Sequence, residues 1–194
     1  SHPGLQTKLG EVLSYLLDLT NAGAVRMDMA HYAMKNHVND AWLRPLGQRV
    51  LEEEPLEKIL SKSKAEYPEA WFFAEAYEQK EGLLQQLGLN GTYDSYLYHS
   101  LVDERRPASE IINYLTRVPA EYLRNTIHYI LNHDDPPGQM IANIMGPDEQ
   151  MAAMAVLSAA SAGNLLIYAD QEKGFSRGKP NANWLRPAEV VETI

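Results

Sequence analysis

The chain has 194 residues, 45% hydrophobic and 22% charged, which suits one globular domain with at most a small appendage. Its 17 Lys and Arg against 26 Asp and Glu give a formal net charge of -9. That argues against nucleic acid or an anionic membrane as partner, since both need a basic footprint, and fits a neutral substrate. Cysteine is absent, which excludes disulfides and thiolate metal sites, and no apolar run approaches the length of a membrane span. Ser1-His2 reads as a tag remnant and no signal peptide is visible. The compartment stays open, with the cytoplasm as the expectation.

Apolar residues at helical spacing predict a first helix over 5–19, with Leu5, Leu9, Val12, Leu13, Leu16 and Leu17 on one side. Asn21-Ala22-Gly23 ends it, with Gly23 as a left-handed cap. A strand is expected over 24–29, where Val25, Met27 and Met29 alternate with Arg26, Asp28 and Ala30. Arg26 and Asp28 then point to the same side. Charges on a buried strand are costly unless paired or working. One reading is a structural ion pair, and the other is a carboxylate held ionised at a strand end. Residues 31–49 read as a helical or irregular excursion broken at Pro45-Leu46-Gly47.

Glu52-Glu53-Glu54-Pro55 opens a helix running to about Glu66, with acids at its positive end and Pro in its first turn. The apolar run 70–74 predicts a buried strand closed by Glu75-Ala76-Tyr77. A short helix over 79–87 ends at Gly88. A third strand is expected over 91–96, with Asp94 near its end, followed by a stretch leading to Arg105-Arg106-Pro107. Another helix starts at Pro107, and 121–125 adds a turn. Residues 126–131 form a β-branched and aromatic strand closed by Asn132-His133-Asp134-Asp135. A helix from Pro147 to Gly163, a fifth strand over 164–168, a loop over 171–183 and a terminal helix over 187–193 complete the chain. Alternating helices and apolar strands predict a parallel sheet with crossover helices, an α/β fold. Polar groups closing successive strands suit the site of a β/α barrel.

Three clusters stand in fixed order: Arg26 with Asp28, then Glu75, then His133 with Asp134. Residues 23–31, 73–77 and 131–136 resemble, in that order, the nucleophile, acid/base and transition-state motifs of the α-amylase family, glycoside hydrolase family 13. Residues 91–98 and 166–172 are also similar to the bacterial amylase-like branch. The resemblance spans nearly the whole chain, 1–194, as the C-terminal half of the family's catalytic barrel, a partial TIM-type barrel of about five parallel strands. The family motif on the third barrel strand, with its Asn-His pair, has no counterpart here. Gly23-Ala24 replaces a common Asp-Gly, and Asp170 stands where Gly is expected.

The resemblance implies a retaining α-glycosidase acting on α-glucans or maltooligosaccharides. Asp28 is the expected nucleophile, Glu75 the acid/base, and Asp134 the stabiliser of the oxocarbenium-like state. Arg26, His133, His31 and Tyr77 are the expected substrate contacts. The two working carboxylates of a retaining enzyme stand about 5–5.5 Å apart. Glu75 is expected to be kept protonated by desolvation among Trp71, Phe72, Phe73 and Tyr77. No cofactor is expected. Calcium is compatible with the acid-rich loops, but no ligand pattern identifies a site. His133-Asp134-Asp135 with His128 nearby matches no known metal spacing. Tyr93, Tyr96 and Tyr98 suit sugar stacking or packing, and Met140, Met145, Met151 and Met154 suit core filling. A half barrel leaves open sheet edges, to be covered by the missing N-terminal half or by a second copy. The alternative reading is a non-catalytic carbohydrate-binding or assembly module.

Overall fold

The alternation of helix and strand read from the sequence becomes a single sheet in the computed structural model, which describes residues 3–134, 152–154 and 163–168. The strands are β1 (Ala24–Met27), β2 (Trp71–Ala74), β3 (Gly91–Tyr93), β4 (Thr126–His128) and β5 (Asn164–Leu165). They lie side by side in the order β1-β2-β3-β4-β5 and every pairing is parallel. Each strand therefore neighbours the one before it in sequence, the winding of a β/α barrel. The expected α/β architecture of about five parallel strands is what forms.

Helices fill the crossovers. α1 (Pro3–Thr20) precedes β1, and α2 (Lys35–Val38) and α3 (Pro55–Glu66) separate β1 from β2. α4 (Glu81–Gln86) follows β2, while α5 (Ser95–Tyr98), α6 (Ala108–Arg117) and α7 (Ala120–Arg124) join β3 to β4. The start of α3 is as anticipated, with Pro55 in its first turn. The Glu54 carboxylate accepts from the Lys35 amide at 3.0 Å and, more weakly, from the Leu56 amide at 3.5 Å. One acid thus ties the excursion after β1 to the next helix.

All five strands are shorter than expected, β2 by one residue and β5 ending at Leu165. β1 stops at Met27 because Met29 adopts a left-handed backbone, φ 43°, and starts a 3₁₀ turn over Ala30–Ala33. β3 stops at Tyr93 because Asp94 caps α5, its carboxylate accepting from the Leu97 amide at 3.0 Å. The stretch after it is helical, α5 followed by a wider π turn at His99–Asp103, and not extended. β4 ends at His128. Of the expected helix over 147–163, residues 152–154 are helical. Met140, Met145, Met151, Asp135, the 171–183 loop and the 187–193 helix lie outside the described residues.

Alternate residues of a strand feed opposite sides of the sheet. On β2, Phe72 and Ala74 are fully buried against Leu17 of α1 and Leu56 and Leu60 of α3. Trp71 and Phe73 instead join a second cluster with Tyr93, Ile127 and Tyr129. Met154 is buried in that second cluster. Leu13 and Leu17 of α1 pack inward, but Leu5, Leu9, Val12, Leu16 and Leu19 are exposed. Among the described residues no helix is long and apolar enough to cross a membrane.

Candidate active site

Arg26 is the third residue of β1, paired in register with Phe73 on β2. Its guanidinium bridges two acids that are far apart in sequence. Nη1 meets Asp28 Oδ1 at 2.7 Å, and Nη2 meets Glu75 Oε2 at 2.8 Å. Nε donates to the Tyr93 hydroxyl on β3 at 3.2 Å, and the guanidinium lies 5.5 Å from the centre of that ring. Partial burial alone would lower the basicity of Arg26, but Asp28, Tyr93 and Glu75 together raise it above its ordinary value. One cation thus gathers the C-terminal ends of three parallel strands.

The backbone completes the arrangement. Beyond the last paired residues, the Glu75 amide donates to Met27 O at 3.0 Å and the Ala30 amide to Glu75 O at 3.1 Å. Main-chain pairing therefore brackets Asp28 on one side and Glu75 on the other. The left-handed turn at Met29 lifts Asp28 out of the sheet, where its side chain is 72% exposed. Glu75 stays only 7% exposed. Its Oε2 also accepts from the Met29 amide at 3.3 Å, and its Oε1 accepts from the Tyr77 hydroxyl at 2.9 Å.

The company of Glu75 differs from the expected apolar pocket. Phe72 points to the opposite face of the sheet, because it is an odd number of residues from Glu75 on one strand. Trp71 and Phe73 do lie on the Glu75 side, yet three donors hold the carboxylate. Burial and the neighbouring Glu75 push the Tyr77 phenol well above its usual range, so it keeps its proton and donates.

His31 sits in the 3₁₀ turn, 3% exposed, against the rings of Tyr32 and Tyr77. Neither ring nitrogen meets a hydrogen-bond partner among the described residues, and burial pulls its basicity below that of ordinary imidazole. His133 and Asp134 follow β4, with Nε2 and Oδ2 3.1 Å apart and both side chains about half exposed. The Asp134 amide closes its own loop by donating to Asn132 Oδ1 at 2.7 Å. The Asp134 charge acts on the Tyr77 phenol. Asp28, Glu75, Arg26 and Tyr77 therefore form one hydrogen-bonded unit, with His31 packed beside it and His133–Asp134 forming a separate pair.

Tyr93, expected to stack on sugar or to pack, accepts from Arg26 instead. Its signal was its place on β3, where alternation puts it on the Arg26 side. Tyr98 packs against Tyr129, and Tyr96 stacks on Tyr114, so neither joins this unit. His128 faces the other side of the sheet, its Nδ1 2.9 Å from Asp94 Oδ2. Among the described residues no three His, Asp or Glu side chains stand together as a metal site.

No family model matches the sequence, and no curated protein matches it. Similarity to solved structures is extensive, at a sequence identity that speaks for the fold alone. The cyclic α-maltosyl-(1→6)-maltose hydrolase from Arthrobacter globiformis, in complex with maltose, aligns over 92% of this chain at a TM-score of 0.67 and 17% identity. An α-amylase from Geobacillus thermoleovorans, complexed with acarbose, aligns over 91% at 0.65 and 17% identity. The debranching enzyme of Nostoc punctiforme aligns over 93% at 0.59 and 16% identity. The chain spans 38% of the length of the first two and 39% of the third. Its fold is thus that of a part of the β/α barrel found in α-amylase-family enzymes.

Proposed function

We propose that this chain is the catalytic, C-terminal half of a barrel that hydrolyses α-glucosidic bonds in α-glucans with retention of configuration. The observation that carries the reading is the Arg26 guanidinium joining Asp28 and Glu75 at the ends of adjacent parallel strands. Two carboxylates held one guanidinium apart suit a double displacement. Asp28, exposed and paired to Arg26, is the nucleophile. Its carboxylate attacks the anomeric carbon as the glycosidic C–O bond breaks, and Glu75 gives its proton to the leaving oxygen. Water then attacks the glycosyl ester, Glu75 takes the water's proton, and Asp28 leaves as carboxylate. Asp134 and His133 bind the sugar hydroxyls. His31, whose buried ring nitrogens meet no partner among the described residues, and Tyr77 contact the substrate. The remaining strands of the barrel cover the free edge of β1 and the exposed apolar side of α1.

The test is an assay with maltooligosaccharides, paired with titration calorimetry. Release of a product of retained anomeric configuration is expected, with Asp28→Asn and Glu75→Gln each slower by more than about a thousandfold, and with Asp28→Asn, at an exposed side chain, little changed in melting temperature. Binding without turnover turns the reading to a glucan-binding module, a second reading favoured by the three donors that occupy both Glu75 oxygens. Neither binding nor turnover removes both readings. Full activity in Asp28→Asn removes the nucleophile assignment.

A further inference from the structure

We propose that Tyr77 is the positioning residue of Glu75, its hydroxyl holding the carboxyl oxygen that carries the transferable proton, Oε1. The proposal rests on the acid/base reading of Glu75. The two oxygens of this carboxyl keep unlike company. Oε2 faces Arg26 Nη2 at 2.8 Å and the Met29 amide at 3.3 Å. Both groups only donate, so a proton on Oε2 would set O–H against N–H. Oε1 meets the Tyr77 hydroxyl at 2.9 Å. A hydroxyl can donate or accept, so Oε1 can gain a proton without stranding a donor. When it does, Tyr77 turns from donor to acceptor toward Oε1. One phenol thus follows the proton of Glu75, while Arg26 keeps the other oxygen fixed.

The groups facing this pair come from every packed element. Arg26 and Asp28 stand at β1, His31 in the turn after it, Tyr93 on β3, and Tyr129 and Asp134 at and beyond β4. Arg26 is a fixed cation, Asp28 and Asp134 are acids, and His31 is held toward its neutral form by burial. Only Tyr77 reaches Oε1 with a hydrogen bond among the described residues.

The test uses the chain itself and needs no turnover. Protein carrying ¹³C at the glutamate carboxyls and at the tyrosine ring carbons bearing oxygen is titrated by NMR, with Glu75 assigned by its loss in Glu75→Gln. In the unaltered chain the Tyr77 resonance is expected to shift in step with Glu75 as its hydroxyl changes role. In Tyr77→Phe, loss of a donor to the ionised carboxylate is expected to raise the Glu75 midpoint by about one pH unit. The lysine-paired Glu11 and Glu53 should stay put. A Tyr77 signal that ignores the Glu75 transition overturns the proposal without any variant, and so does an unmoved midpoint in a folded Tyr77→Phe. Coupled titration without glucan turnover removes the acid/base role of Glu75 and leaves the link to Tyr77. Turnover without coupling removes this proposal alone.

Discussion

The sheet carries a buried acid–base contact on each face, and the two are built in opposite ways. On the side of Arg26, one guanidinium serves two carboxylates, and one of them stands 72% exposed. Negative charge is in excess there, and solvent reaches it. On the helix side, Asp94 and His128 lie across β3 and β4, both about 1% exposed, with one acid for one base. The Thr126 hydroxyl gives its proton to Leu123 O at 2.6 Å, so His128 Nε2 must donate to it at 3.0 Å. His128 Nδ1 then faces the Asp94 carboxylate at 2.9 Å, though off the line of a good hydrogen bond. Asp94 also caps α5. The sealed pair ties two strands together away from water, whereas the open, unbalanced one leaves a carboxylate exposed to solvent.

The largest effect on this contrast should come from breaking the sealed pair. Asp94→Ala strands a buried imidazole and uncaps α5, and is expected to cost about 3–5 kcal/mol in urea denaturation. A loss under about 1 kcal/mol would mean that the helix side is no more committed than the open side. Gly163→Ala should cost less, about 1–3 kcal/mol in the same experiment. A β-carbon at Gly163 would stand 2.4 Å from Leu123 O and 2.9 Å from both Thr126 O and His128 Nε2, which the backbone cannot easily yield. The smallest effect is on the open side. The folded chain holds His31 below its ordinary value of 6.5. As pH falls through that value the unfolded chain takes a proton that the folded one refuses, so stability drops, and the drop levels off below the folded value. His31→Gln should remove this part of the slope between about pH 7 and about pH 5, measured by denaturation at each pH.

Much of this was legible in the residues. The 3.6-residue pattern of α1, the Glu54-Pro55 start of α3 and the apolar run of β2 each specify their element locally. Asp28 and Glu75 stood out because charge at the end of an apolar strand is costly. The lengths of β1 and β3 were not legible, since they are decided just past each strand, by a left-handed Met29 and a capping Asp94. Nor was the reach of Arg26 to Glu75, 49 residues away. Glu75 was expected in apolar company because four aromatic neighbours in sequence hide the fact that a strand shares them between two faces. The Asp94–His128 contact was not legible either, because it follows from the register in which Tyr93 pairs with Ile127.

The order of the strands has a consequence for how the chain acquires its shape. Each new strand joins the one made just before it, and none inserts between two earlier ones. A ribosome feeding out the chain from its N-terminus can therefore extend the sheet one crossover at a time, closing only the loop just synthesised. Arg26 emerges before Glu75 with Asp28 beside it in sequence, and gains its second acid when the next strand arrives. Formation of that bridge would be an early marker of correct assembly, well before β4 and the Asp94–His128 pair exist.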